Sequence, residues 1–341
     1  MAANSSARPT DIGADPQPVT EALATAVAAA ALAPSIHNAQ PWRWRMTGDG
    51  LDLHLGPSRL PDVADPDARL ATLSCGAALH HARVSLAAQG WRATATRMPD
   101  PAGPEHLARL QVDGPAPAPV EAVTVRRGQT IGLRHTDRRP LSGRRIGPDE
   151  LAAIITAVHA EGSLLHVLYP DQVVSLAAAA DHAQRAEPQE TNWLAELAYW
   201  TGGSRPTSTD IPRATVPSRP AWPTDRDLGH DGEPRLSGGY DRSALFAILY
   251  DRGDQPLNWL RAGEALSAAW LTATEIGVSM RPLSATIEMV STRQAIRILL
   301  ASVGYPYLVL RLSTIDQDYA GHPPQLPIDQ IMTETAPIDV R

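Results

Sequence analysis

The chain has 341 residues and a formal net charge of −7, with 43% hydrophobic and 20% charged side chains. Every one of its 30 basic side chains is arginine, so a Walker A phosphate loop, a pyridoxal Schiff base and a protein-kinase centre are all excluded. The single cysteine, Cys75, rules out an intramolecular disulfide framework and a multi-thiolate metal site, and the acidic balance argues against a general nucleic-acid surface.

Residues 1–18 read as a flexible tail. Thr20 is a plausible N-cap for an Ala-rich helix to about Leu32, stopped by Pro34. This stretch is short, lacks a basic region ahead of it and follows Glu21, so it reads as a helix and not a signal peptide. No apolar run reaches the roughly 18 residues needed to span a bilayer, so the expected location is the cytoplasm, where Cys75 stays reduced. Trp42–Met46 and Leu51–Leu55 alternate around Gly48-Asp49-Gly50, the pattern of a hairpin. Ala68–Gln89 reads as a long helix with Gly90 at its C-cap, and Leu107–Val112 as a strand. Residues 114–125 open on alternating Pro and Ala and read as a linker.

The second half repeats the plan. Gly76-Ala77-Ala78-Leu79 aligns with Gly263-Glu264-Ala265-Leu266, and at the same offset Gly90 falls on Gly277. Each copy is a long Ala/Leu helix ended by glycine, with a later strand at Leu107–Val112 or Tyr307–Leu312. An internal duplication changes the expected fold from two unrelated domains to two copies of one unit. On this reading 19–113 is the first half, 126–315 the second, and 316–341 a C-terminal extension. Residues 201–240, dense in Pro and Gly, form a long insert that is either a lid or a solvated connection.

The stretch richest in chemistry is Pro34-Ser35-Ile36-His37-Asn38-Ala39-Gln40-Pro41-Trp42. It sets a hydroxyl, an imidazole and two carboxamides between two prolines, in a loop from helix to strand. Those groups orient a polar heteroaromatic ring through neutral hydrogen bonds; the same residues also suit an ordinary Asx-rich turn. His80-His81 are helix neighbours that do not face one site, Cys75 reads as a buried structural residue, and no nucleophile elbow is present.

Pro-Ser-x-x-Asn-x-Gln-Pro-Trp resembles the flavin-facing loop of the FMN-dependent nitroreductase family. Arg134-His135-Thr136-Asp137-Arg138-Arg139 is similar to the family's Arg-rich opening, Gly277–Leu283 to the segment over the flavin ring, and Gly304-Tyr305-Pro306 to the family's Gly-Tyr-Pro. The signature order and the doubled length resemble the mycobacterial Acg branch, in which one chain imitates the family dimer. The resemblance covers roughly residues 20–315. It implies an α+β fold of nitroreductase-like three-layer α/β/α type, two tandem copies forming an intramolecular pseudo-dimer. The chain is then a monomer or a homodimer, with one intact flavin site and one vestigial one. It implies FMN held by Pro34, Ser35, His37, Asn38, Gln40, Arg134, His135, Thr136, Arg138, Met280, Pro282, Leu283 and Arg311. Arg134 and Thr136 would meet the ribityl chain or phosphate, and Arg138 the N1/O2 edge of the ring. The chain departs from the pattern at His322–Pro327, where relatives carry a basic phosphate ligand; Arg311 or Arg281 is the expected substitute. The implied activity is NAD(P)H-dependent reduction of nitroaromatic, quinone or similar small-molecule acceptors, without a protein side chain as obligatory acid or base. The alternative is FMN sequestration beneath a lid at 201–240.

Overall fold

The computed structural model describes residues 16–61, 63–136, 144–186, 244–314 and 325–334. The insert at 201–240 and Arg138 lie outside the described residues. The first half runs α1 (Pro16–Ala31), β1 (Trp42–Thr47), β2 (Gly50–Leu55), α2 (Arg69–Ala88), β3 (Trp91–Arg97) and β4 (His106–Pro115). After α3 (Ala122–Thr130) the second half runs α4 (Pro148–Ala160), β5 (Leu164–Val167), α5 (Pro170–Ala186), β6 (Leu245–Asp251), α6 (Pro256–Glu275) and β7 (Val278–Leu283). It continues with α7 (Ala285–Glu288), α8 (Val290–Leu299) and β8 (Tyr305–Thr314), and the chain returns as α9 (Ile328–Ile331) and β9 (Met332–Glu334).

Strand order states the duplication plainly. The first sheet is ordered β3-β4-β2-β1 and the second β7-β8-β6-β5, with every neighbouring pair antiparallel. β9 then adds in parallel to β1, pairing Trp44 with Met332, so the end of the second half covers the open edge of the first sheet. The α+β class and the tandem plan expected from the sequence hold.

Three local expectations shift. The first helix begins at Pro16, ahead of Thr20, so the expected tail ends earlier. Proline in a first turn gives up an N–H that has no partner within the helix, so Pro16 and Pro18 are tolerated there. The connection within 114–125 is shorter than expected, spanning 116–121, because β4 extends to Pro115 and α3 starts at Ala122. Within the C-terminal extension, Leu326 and Ile331 are buried in the first half's core.

The two long helices cross at the repeat glycines. A Cβ on Gly76 would lie 1.9 Å from the Leu260 carbonyl oxygen and 3.0 Å from the Gly263 Cα. A Cβ on Gly263 would lie 1.8 Å from the Leu73 carbonyl oxygen and 2.9 Å from the Ala77 nitrogen. The offset that carries Gly76 onto Gly263 also carries Leu73 onto Leu260, so the contact is reciprocal, as in an isologous dimer interface. His80 and Ser267 are related by the same offset, and His80 Nδ1 lies 2.8 Å from Ser267 Oγ. The halves interpenetrate around this crossing: Leu70 and Leu73 belong to the second half's core, and Leu260 to the first's.

Burial of His80 has a consequence for acid stability. The ring is 5% exposed, and desolvation with the nearby Arg83 and Arg127 holds its pKa down to about 3. His80 is therefore neutral, and its 3.7 Å approach to Glu161 is not an ion pair at neutral pH. His81, fully buried, is shifted the same way, chiefly by desolvation. The unfolded chain takes up these protons below a pH of about 6.5 and the folded chain does not, so stability is full above that pH and falls as pH drops. Denaturant unfolding between pH 7 and pH 5 is expected to lose about 1.4 kcal/mol per pH unit per histidine below that point. His80→Gln removes one histidine's share of the slope; a flat profile in wild type would contradict the assignment of neutral, buried rings.

Candidate functional site

The loop from Leu32 to Pro41 is held in an unfavourable backbone conformation. His37, Asn38 and Gln40 all sit at positive φ, +45°, +54° and +51°. Such conformations cost of order 1–3 kcal/mol for each non-glycine residue and persist only where surroundings over-determine them. Here Ser74 Oγ donates to Leu70 O at 2.7 Å and accepts the Ile36 N–H at 3.1 Å, fixing the loop to α2. Ser35 Oγ accepts the Gln40 N–H at 3.1 Å, and Arg59 Nε donates to Ala39 O at 2.5 Å. The Gln40 side chain is fully buried and its Oε1 accepts the Leu326 N–H at 2.9 Å, tying the C-terminal segment to the loop.

This loop forms one wall of a cavity of about 290 Å³, near the lower end of the ~300–1,000 Å³ usual for small-molecule pockets. Residues 33–38 face it from the first half, with Leu70, Leu73 and Ser74 of α2. The second half contributes Leu266 and Trp270 of α6, Arg281 to Ala285 at the end of β7, and Leu308 of β8. Arg134, Thr136 and Gln325 complete the described walls. Both halves are therefore needed to make the site, and the α2–α6 crossing sets its width.

Arg134 dominates the site's electrostatics. It follows α3, its own N–H bonded to Thr130 O at 3.0 Å. Its guanidinium lies 4.7 Å from the Trp270 ring centroid, and Nη2 donates to Leu32 O at 2.9 Å, at the carbonyl end of α1. Nε and Nη1 are buried without a hydrogen-bond partner among the described residues. Burial lowers the pKa to about 10, so the group remains a cation at neutral pH. A buried guanidinium with two unpaired donors is costly alone, and a bidentate anion offsets that cost.

Of the residues expected from the sequence, the structure brings Pro34, Ser35, His37, Asn38, Arg134, Thr136, Pro282 and Leu283 to the cavity. Gln40 lies behind the loop. His135 lies off the walls, with Nδ1 3.1 Å from Leu133 O. Met280 is fully buried in the second core and does not line the cavity. Arg311 is buried in β8 opposite Arg281, and it is Arg281 that reaches the wall. Trp270 and Ser74 are wall residues that sequence reading missed, and so is Glu288, which lies off the walls and touches the wall residue His37. Glu288 is 2% exposed, with Oε1 3.4 Å from His37 Nε2. The Trp270 position carries a signal only once the repeats are aligned, where it falls opposite Arg83.

The corresponding region of the other half is built differently. At the repeat offset Trp270, Ser284 and Ala77 correspond to Arg83, Arg97 and Glu264. Glu264 is fully buried and takes Arg97 Nε and Nη2 at 2.5 and 3.0 Å, with Arg83 Nη1 at 2.7 Å. Arg83 Nη1 also reaches Glu161 Oε2 at 2.8 Å. Residues 32–41 separate α1 from β1, whereas only 161–163 separate α4 from β5, so no counterpart of the polar loop exists there. An internal ion cluster stands where the first site has an aromatic wall and open space.

Sequence comparison places this arrangement among known proteins. Over 325 residues the chain is 33% identical to Rv3131 of Mycobacterium tuberculosis, covering 92% of each. It is 31% identical to acg of the same organism, covering 93% of this chain and 97% of that one. Both are named, provisionally, as NAD(P)H nitroreductases. The chain belongs to the nitroreductase family. A third relative, Rv3127 of the same organism, is 30% identical over 329 residues, covering 91% of this chain and 92% of that one, and is uncharacterized. No family model matches the chain. Among solved structures, an FMN-bound nitroreductase from Bacteroides fragilis aligns at TM-score 0.36 and 15% identity, over 58% of this chain and 93% of that one. The FMN- and NADPH-dependent nitroreductase NfnB of sphigopyxis sp. strain HMH aligns at TM-score 0.39 and 12% identity, over 62% and 99%. Family membership rests on the full-length relatives. Among the described residues no helix is long and apolar enough to cross a membrane.

Proposed function

We propose that the chain is an FMN-binding NAD(P)H oxidoreductase that holds one flavin in the cavity between its halves and reduces nitroaromatic, quinone or similar small acceptors. The observation that carries this reading is Arg134, a buried guanidinium on the cavity wall whose Nε and Nη1 have no hydrogen-bond partner among the described residues, beside the apolar Leu70, Leu73, Leu266 and Trp270. A phosphate-bearing cofactor with a flat aromatic ring fits that combination. Arg134 would take the phosphate or ribityl oxygens, with Thr136 and Arg281 beside it. Leu70, Leu73, Leu266 and Pro282 would enclose the ring, and Ser35 and Asn38 would bond its polar edge. When bound, FMN supplies the hydride and electron transfer; the protein's part is to orient the ring, exclude water and balance charge.

The names of the full-length relatives favour the oxidoreductase reading; the lid at 201–240 that sequestration would need lies outside the described residues. Anaerobic addition of NADPH or NADH to the yellow protein is expected to bleach it, with colour restored by an added quinone or nitroaromatic. Colour that persists under both nicotinamides would favour sequestration, and colourless protein that takes up no FMN would sink both.

A further inference from the structure

We infer that the outward face of the first sheet carries a binding site for a divalent transition metal, formed by Asp52, His54 and His106. The site is separate from the cavity and does not depend on the flavin reading.

The pleat places the three side chains together. Asp52 and His54 are two apart on β2 and share one face, while Leu51 and Leu53 turn the opposite way into the core. His106 is the direct partner of His54 across the β2–β4 ladder. The register shifts between Leu53 and His54, an irregularity that re-aims side chains. The two imidazoles stack at 4.5 Å with their planes 17° apart, and His106 Nε2 lies 3.0 Å from Asp52 Oδ1. One ligand atom from each of the three lies within 4.8 Å of the others.

Two imidazoles and a carboxylate make an N₂O donor set suited to zinc, cobalt or nickel. Calcium and magnesium would want more oxygen ligands than this face offers. Metal–ligand bonds of about 2.1 Å put tetrahedral donors about 3.4 Å apart, so donors that lie within 4.8 Å of one another need to close by no more than about 1.4 Å. Asp52 is currently shared with two arginines: Arg45 Nη2 at 3.0 Å from Oδ2 and Arg109 Nη1 at 3.4 Å from Oδ1. Both guanidiniums reach solvent, the Arg45 side chain being 51% exposed. Metal entry displaces Arg109 from Oδ1, while Arg45 can remain on Oδ2 as an outer partner that orients the carboxylate. The arginines therefore compete with the ion in the metal-free protein. Water completes the coordination sphere, because only three protein ligands converge.

Calorimetric titration of the tag-free, full-length protein with ZnCl₂ is the test. Saturable binding of one Zn²⁺ per chain is expected, with His54→Ala and His106→Ala each weakening it at least about tenfold. Arg109→Ala should tighten it, because a competing cation is gone. Zinc should also shield His54 and His106 of the wild-type chain from carbethoxylation by diethylpyrocarbonate, a readout that needs no variant to fold. Zinc binding unchanged by either histidine substitution, absence of binding, or unprotected histidines at saturating zinc would each overturn the assignment.

Discussion

Gly263→Ala is expected to unfold much of the molecule's margin of stability. The new methyl carbon would stand 1.8 Å from the Leu73 carbonyl oxygen and 2.9 Å from the Ala77 nitrogen, both backbone atoms of a helix that cannot rotate aside. Relief requires α2 and α6 to separate, which strains the most intimate contact between the two halves. Overpacking ordinarily costs about 1–3 kcal/mol; against backbone on a central crossing we expect about 3 kcal/mol or more, in the range that marks a specific structural failure. Gly76→Ala should do the same, since its Cβ meets the Leu260 carbonyl oxygen at 1.9 Å. The double variant should cost less than the sum, because both changes strain one contact. Gly48→Ala is the control: nothing lies within 4 Å of its Cβ position, and stability should move by no more than about 0.5 kcal/mol. Denaturant midpoints measure all four proteins. A Gly263→Ala chain as stable as the Gly48→Ala control would mean that the helices do not cross this closely. Because Leu73 and Ser74 face the cavity from one helix and Leu266 and Trp270 from the other, the same substitutions should also loosen flavin retention.

Arg134→Ala should separate binding from folding. Removing the guanidinium deletes the Leu32 hydrogen bond and the stacking on Trp270, roughly 1 kcal/mol each. It also removes a desolvated cation whose Nε and Nη1 have no hydrogen-bond partner among the described residues. The two effects oppose, so the stability of flavin-free protein should change by less than about 1 kcal/mol. FMN affinity is another matter. Each charge-assisted hydrogen bond to phosphate or ribityl oxygen is worth about 1.5–3 kcal/mol, so dissociation constants should rise about tenfold to a few hundredfold. Arg134→Lys keeps the charge but loses the planar fork and should fall between. Fluorescence titration of flavin-free protein with FMN reads this directly. Equal affinity in wild type and Arg134→Ala would place the phosphate elsewhere, with Arg281 the next side chain to change.

What the sequence revealed follows from what is local in the chain. The Pro34–Pro41 loop was legible because its polar residues are contiguous between two prolines. Arg134 was legible through the motif around it, and Gly76 and Gly263 through the repeat. Trp270 and Ser74 were not, because they reach the cavity from helices distant in sequence and carry no local pattern; nor was Glu288, which meets His37 from a helix far later in the chain. β6 escaped notice because Phe246 to Leu249 are all buried, so the alternation that marks a half-exposed strand is absent. β3 was missed for the opposite reason: Trp91–Arg97 alternates, but with Ala and Thr as its inward and outward residues the contrast is weak. The return of Met332–Glu334 to the first sheet is a long-range pairing that no short window contains. The ion cluster on Glu264 becomes readable only after alignment of the halves, when Glu264 replaces Ala77, Arg83 replaces Trp270 and Arg97 replaces Ser284.

That cluster bears on the claim that one chain holds one cofactor. A second flavin would have to displace Glu264 from two arginines and occupy a region lacking the ten-position loop that spans 32–41 on the other side. The decisive measurement is the ratio of FMN to polypeptide in protein saturated with FMN and freed of excess, quantified after heat release. A ratio near one is expected in wild type, falling sharply in Arg134→Ala under the same wash. A ratio near two, or a wild-type ratio near zero, would contradict it.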